Sequence, residues 1–159
     1  MISKRDTSII KLFTIFCNFF KNPTFSSLNN IKAKLNEIED EQIRKYGAFI
    51  WVLIKKLINN PNGKFTYSDL AKETNKEFPS INFPEKGGAL SRQSGSAVGF
   101  ASTISFNCAD FFISSVVVSK NTNLPSEGLI KLADLLNASI NLKQEQQKVL
   151  KFFKHITKT

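Results

Sequence analysis

Polar residues interrupt the apolar run "IIKLFTIFCNFF" at residues 9–20 in a regular way. Lys11, Thr14 and Asn18, followed by Lys21, are spaced 3-4-3. That spacing puts them on one stripe of a helix, with Ile10, Phe13, Ile15, Phe16, Phe19 and Phe20 around the rest. The pattern predicts a helix packed on a core or against a second copy. A helix lying on a membrane surface would need more cations on its polar face. "KNPTFSS" then breaks the helix at Pro23. A short helix is predicted over 27–36 and the main helix over 38–59. Asp40 can cap the latter and Glu41 suits its first turn. Ile43, Tyr46, Ile50, Leu53, Ile54 and Leu57 recur at three- and four-residue spacing, and "NNPNG" supplies a stop and a tight turn.

Thr66 reads as the N-cap of a helix over 67–74, with Asp69 three residues on as a variant of the capping box and Leu70 and Ala71 facing inward. Residues 75–94 carry two Pro and two Gly and read as a long loop, a feature that in compact domains is usually functional or mobile. Ser94 or Ser96 can start a helix over 96–107, whose Ala97, Gly99 and Ala101 permit close packing. "FFISSVVVS" at 111–119 is the clearest strand, rich in β-branched residues. After the turn "KNTNLPSEG", an amphipathic helix is predicted over 127–137 and a last one over 141–156. Leu142, Val149, Leu150, Phe153 and Ile156 form the apolar face of that last helix, and Lys143, Lys148, Lys151, Lys154 and Lys158 crowd its remainder. The chain shows no internal repeat. The fold class expected is α+β, mostly helical, with a small sheet. The N-terminal Phe-rich helix of 1–26 packs on a single domain of 27–159.

Composition sharpens this picture. At 159 residues, 42% hydrophobic and mean hydropathy −0.15, the chain can bury a core. Its fifteen Phe are core material first and base-stacking material second. Against 13 acidic residues stand 22 basic ones, net +9. Such an excess favours nucleic acid, an acidic protein or an anionic membrane surface. Most of the cations are Lys, which suits phosphate contact better than base reading. Cys17, Cys108 and the single His155 lack zinc-site spacing. Two free buried thiols in a reducing compartment are a simpler reading than one disulfide. The N-terminal apolar run is too short to cross a membrane and no small-x-small cleavage site follows it. With Met1 in place, an unprocessed cytoplasmic protein is expected.

Three segments carry a resemblance: "TYSDLA" at 66–71, "SAVG" at 96–99 and "ISSVVVSKNT" at 113–122. Their order resembles the C-terminal DNA-binding domain of the alkylguanine-DNA alkyltransferase and alkyltransferase-like family. That family has a Thr-Tyr-Gly-Glu-Leu-Ala helix start, an Arg-Ala-Val-Gly recognition helix and an Ile-Pro-Cys-His-Arg-Val-Val strand. The resemblance implies a winged-helix-like core made of helix 67–74, helix 96–107 and the 111–119 strand with its turn as the wing. It does not carry over the chemistry. Ser114 and Ser115 stand where the nucleophilic Cys-His pair would fall, Cys108 lies six residues early, and Ser96 replaces the base-displacing Arg. Alkyl transfer needs an activated Cys beside a base, so it is not expected.

Helix 96–107 contains no Arg, Lys or Gln for bidentate base contacts. Ser94, Ser96, Ser102 and Thr103 offer only weak polar contacts. Affinity would then rest on cations. The candidate binding residues are Lys64, Lys72, Lys86, Arg92, Ser94, Ser96, Lys120, Lys148, Lys151 and Lys154, with no catalytic residue, metal or cofactor expected. The acidic cluster Glu37, Glu39, Asp40 and Glu41 is better read as complementing a helix dipole than as a metal site. The leading expectation is a non-catalytic, sequence-nonspecific nucleic-acid-binding protein, with DNA as the partner, in a regulatory, phage- or defence-related setting. The alternative is a protein-binding inhibitor, such as an antitoxin or immunity protein, that neutralises an acidic partner through the 75–94 loop and the lysine face. A homodimer through the N-terminal helix is a further possibility, and no stable membrane insertion is expected.

Overall fold

A helix that is apolar on nearly every side belongs at the centre of a fold. In the computed structural model, which describes residues 2–156, that place is taken by α3 (Glu41–Asn59). The Asp40 side chain caps it by accepting the Ile43 N–H at 3.0 Å. Ile43, Phe49, Ile50, Leu53, Ile54 and Leu57 are fully buried. Around it pack α1 (Lys4–Lys21), α2 (Phe25–Lys34), α4 (Tyr67–Glu77), α5 (Gly87–Ala109) and α7 (Leu142–Lys154). Gly47 lets α1 and the turn after α2 approach α3 closely. A Cβ there would stand 2.6 Å from Leu35 Cδ2 and 3.1 Å from Leu12 Cδ1.

The polar stripe of α1 falls as its spacing predicts. Lys11, Thr14, Asn18 and Lys21 are exposed, while Leu12, Ile15, Phe16, Phe19 and Phe20 are buried. Its apolar face is thus turned into the chain's own core, except for Ile10, which is 56% exposed. The Ser8 hydroxyl accepts the Asp40 N–H at 3.0 Å and ties α1 to the start of α3. Trp51 Nε1–H donates to the Leu28 carbonyl at 2.8 Å and does the same for α2. The cysteines correct the expectation of free thiols. Cys17 of α1 and Cys108 of α5 form a disulfide across a sequence separation of 91, with Cα atoms 5.8 Å apart.

The largest departures lie between 75 and 119. α4 runs to Glu77 and α5 begins at Gly87, so the connection is 78–86 rather than 75–94. It is also anchored. The Asn75 side chain donates to the Phe83 carbonyl (2.8 Å) and accepts the Phe83 N–H (2.7 Å), while Phe83 stacks on Phe49 at 4.9 Å. Neither Ser94 nor Ser96 starts α5. Extended Lys86 precedes Gly87, whose φ of +71° only glycine adopts freely. Packing against α1, α3 and α4 overrides the poor helix propensity of "GGALSRQSG".

The expected 111–119 strand shrinks to β2 (Val117–Val118), which pairs in parallel with β1 (Phe65–Thr66) in the register Phe65↔Val117 and Thr66↔Val118. Residues Ile113–Val116 form a 3₁₀ turn instead. The reason is local competition for backbone donors. The N–H groups of Phe112, Ile113 and Ser114 go to Glu145 Oε2 (2.9 Å), Ser105 Oγ (3.1 Å) and Ser102 Oγ (2.8 Å). Ser102 is fully buried and is therefore not a surface contact. α6 (Gly128–Leu135) is shorter than the predicted 127–137, and α7 ends at Lys154. Met1 and Lys158 lie outside the described residues. The structure is mostly helical, with seven α-helices and a two-stranded parallel sheet among the described residues, and none of those helices is long and apolar enough to cross a membrane.

Candidate functional site

Parallel strands leave their carboxyl ends open where the following helices begin. A cleft of about 340 Å³ lies at that end of β1 and β2. One wall is the start of α4, with Thr66, Tyr67 and Ser68. A second is the first half of α5, with Leu90, Ser91, Ser94 and Gly95. The third is the chain leaving β2, with Ser119, Lys120 and Ser126. Thr66 Oγ1 accepts the Asp69 N–H at 3.2 Å, as its predicted capping role requires. The Tyr67 hydroxyl accepts the Ser126 N–H at 3.3 Å and holds the 119–126 turn over the cleft. Gly95 lines both this cleft and a smaller cavity of about 60 Å³ beside it, which Gly99 also lines. A Cβ at either glycine would meet no atom within 4 Å. Gly99 therefore leaves space, and the close helix packing expected of it is confined to Ala97 and Ala101, both fully buried.

The lining is rich in hydroxyls and holds no carboxylate; its one charged side chain is Lys120. Of the residues expected to bind, Lys120 and Ser94 come together here. The Ser94 hydroxyl is engaged internally, donating to the Leu90 carbonyl at 2.5 Å, and the residue is fully buried. Its direct contact role is thereby removed. Ser96, Lys72 and Arg92 are exposed on α4 and α5, and Lys86 is exposed just before α5, all outside the cleft lining. Lys64 lines a second cleft of about 270 Å³, where it meets Lys143, Gln146 and Gln147 of α7. Lys151 and Lys154 are exposed on α7 and line neither cleft.

Ion pairing divides the cations into two sets. Lys32 and Lys55 hold Glu77 at 2.9 and 2.5 Å, Lys56 and Lys76 lie within 4.0 Å of Glu73, and Lys148 holds Glu145 at 3.0 Å. The hydrogen bond from Lys55, with that from Lys32 behind it, keeps the Glu77 carboxyl below its ordinary value of 4.5. Lys148 thus belongs to the structural set. The other sixteen cations among the described residues have no carboxylate within 4.0 Å, and seven of them, Lys64, Lys72, Lys86, Arg92, Lys120, Lys151 and Lys154, are residues expected to bind.

Sequence reading passed over Tyr67, Ser91, Ser119, Ser126, Lys143 and Gln146 as site residues. "TYS" at the helix start and "SK" after the apolar run pointed to this place, but their convergence needed the parallel register. The cleft can neutralise one negative charge and supply hydrogen bonds, and no His or Cys lines it. Cys108 is held in the disulfide and is not available as a thiolate. No protein-family model, no curated protein and no solved structure matches the chain.

Proposed function

We propose that this protein binds nucleic acid through phosphate contacts, with DNA as the expected partner and little sequence preference. One observation carries the reading: seven of the cations expected to bind have no carboxylate partner among the described residues, and one of them stands in a hydroxyl-lined cleft that no carboxylate enters. Unpaired lysines and hydroxyls contact phosphate oxygens without reading base edges. In this reading α4 and α5 act as the helix pair of a winged-helix-like frame, and the turn after β2 stands in the place of a wing. Of the three segments that resemble the alkyltransferase DNA-binding domain, 66–71 and 113–122 supply residues to the cleft, and 96–99 lines the smaller cavity beside it. This reading sets the protein in the cytoplasm.

The Cys17–Cys108 disulfide favours a second reading, because structural disulfides belong chiefly to oxidising compartments. There the same cations would neutralise an acidic protein partner, as an immunity protein does. Titration of labelled single- and double-stranded DNA and of RNA distinguishes the two. The first reading expects a complex at about 50 mM salt whose affinity falls about a hundredfold by about 200 mM, the slope for roughly four neutralised phosphates. It also expects Lys64→Glu with Lys120→Glu to weaken binding at least about tenfold. No complex at the lower salt refutes it. Stoichiometric co-purification with an acidic protein would establish the second.

A further inference from the structure

A larger groove, of about 610 Å³, runs between α6 and the 138–142 segment. Its floor includes Leu129 and Ala133, which are buried over Phe112 in a cluster separate from the main core. Leu124 and Ile130 line it while 54% and 62% exposed, an arrangement that water does not favour for two large apolar side chains in one groove. Its charge is opposite to that of the rest of the chain. Glu127 and Asp134 line it and no cation does, although the chain carries +9. Neither carboxylate has a Lys, Arg or His within 4.0 Å among the described residues. Glu127, Ile130 and Asp134 are spaced i, i+3, i+7, so the two carboxylates and the exposed Ile form one stripe along α6.

We propose that this groove docks an amphipathic helix of a partner protein, with an apolar face toward Ile130 and Leu124 and a row of Lys or Arg along the edge that meets Glu127 and Asp134. The eight residues of α6 span about 12 Å, room for about two turns of a docked helix in the helix-in-groove mode. Charge complementarity decides the occupant. Nucleic acid and anionic lipid are repelled by the two carboxylates. The helices of a second copy are poor occupants: α1, α3 and α7 turn most of their apolar residues into their own core, and α6, which exposes Ile130 and Leu135, would bring a second pair of carboxylates against Glu127 and Asp134. The proposal does not rest on the nucleic-acid reading.

The test is fluorescence anisotropy with two designed helical peptides of about fourteen residues, long enough to overlie α6. They share a Leu face; one has a Lys edge and the other a Glu edge. The Lys-edge peptide is expected to bind, Ile130→Ser to weaken it at least about tenfold, and Glu127→Lys with Asp134→Lys to transfer preference to the Glu-edge peptide. Leu135→Ser is expected to change nothing: Leu135 is 80% exposed but outside the groove lining. All these side chains are on the surface, so the fold is retained. Failure of the Lys-edge peptide to bind, equal binding of both peptides, or indifference to Ile130→Ser overturns the proposal. A dimer in sedimentation that Ile130→Ser dissociates also overturns it and gives the groove to a second copy.

Discussion

Glu145 is 4% exposed in a helix whose other charges face water. One of its carboxylate oxygens accepts the Phe112 N–H at 2.9 Å, and the other is held by Lys148 at 3.0 Å. It thereby turns the chain out of the α5 end and into the 3₁₀ turn, working with Ser102 and Ser105. Glu145→Ala leaves that buried N–H without an acceptor, at a cost of about 1–3 kcal/mol. Urea unfolding should show the loss, and Glu145→Gln, which keeps an acceptor, should recover most of it. In the sequence Glu145 is only the lone acid among lysines. Its role was not legible because its partner lies 33 residues away. The capping residues Asp40 and Thr66 were legible because each bond closes within three residues.

Among the elements, α1, α3 and α7 follow from apolar spacing, since α1 and α7 each present one continuous face to the core and α3 is apolar on nearly every side. α5 does not, because small residues carry little hydrophobic signal and its stability comes from the helices around it. The joint between α2, α3 and α4 depends on Glu77, which takes ammonium groups from both α2 and α3 while Lys32 and Lys55 stand over the Trp51 ring at 5.0 and 5.3 Å. Its folded-state pKa lies below the unfolded value, so its contribution is present above about pH 5 and is lost as pH falls through the folded pKa. Unfolding midpoints measured as pH is lowered should show that Glu77→Gln loses less stability across this acid range than the parent. Equal slopes would remove Glu77 from the joint.

For the molecule as a whole, the disulfide closes most of the chain between α1 and α5. A loop of that length restricts the unfolded ensemble, and reduction should cost about 2–4 kcal/mol. Denaturation with and without a dithiol, checked against Cys17→Ser with Cys108→Ser, measures it. An unchanged midpoint would mean that helix packing alone holds α1 in place. The sequence by itself determined the Asp40 and Thr66 caps, the apolar faces of α1, α3 and α7, and the cationic surplus, because these depend on residues a few positions apart or on simple counting. Only the tertiary structure decided that two distant cysteines meet, that five lysines are bound to carboxylates while the other sixteen described cations are not, and that Thr66, Ser91 and Lys120 share a cleft. Each of those outcomes joins residues far apart in the chain, and their meeting is set by how the helices pack around α3 and by the register of two short strands.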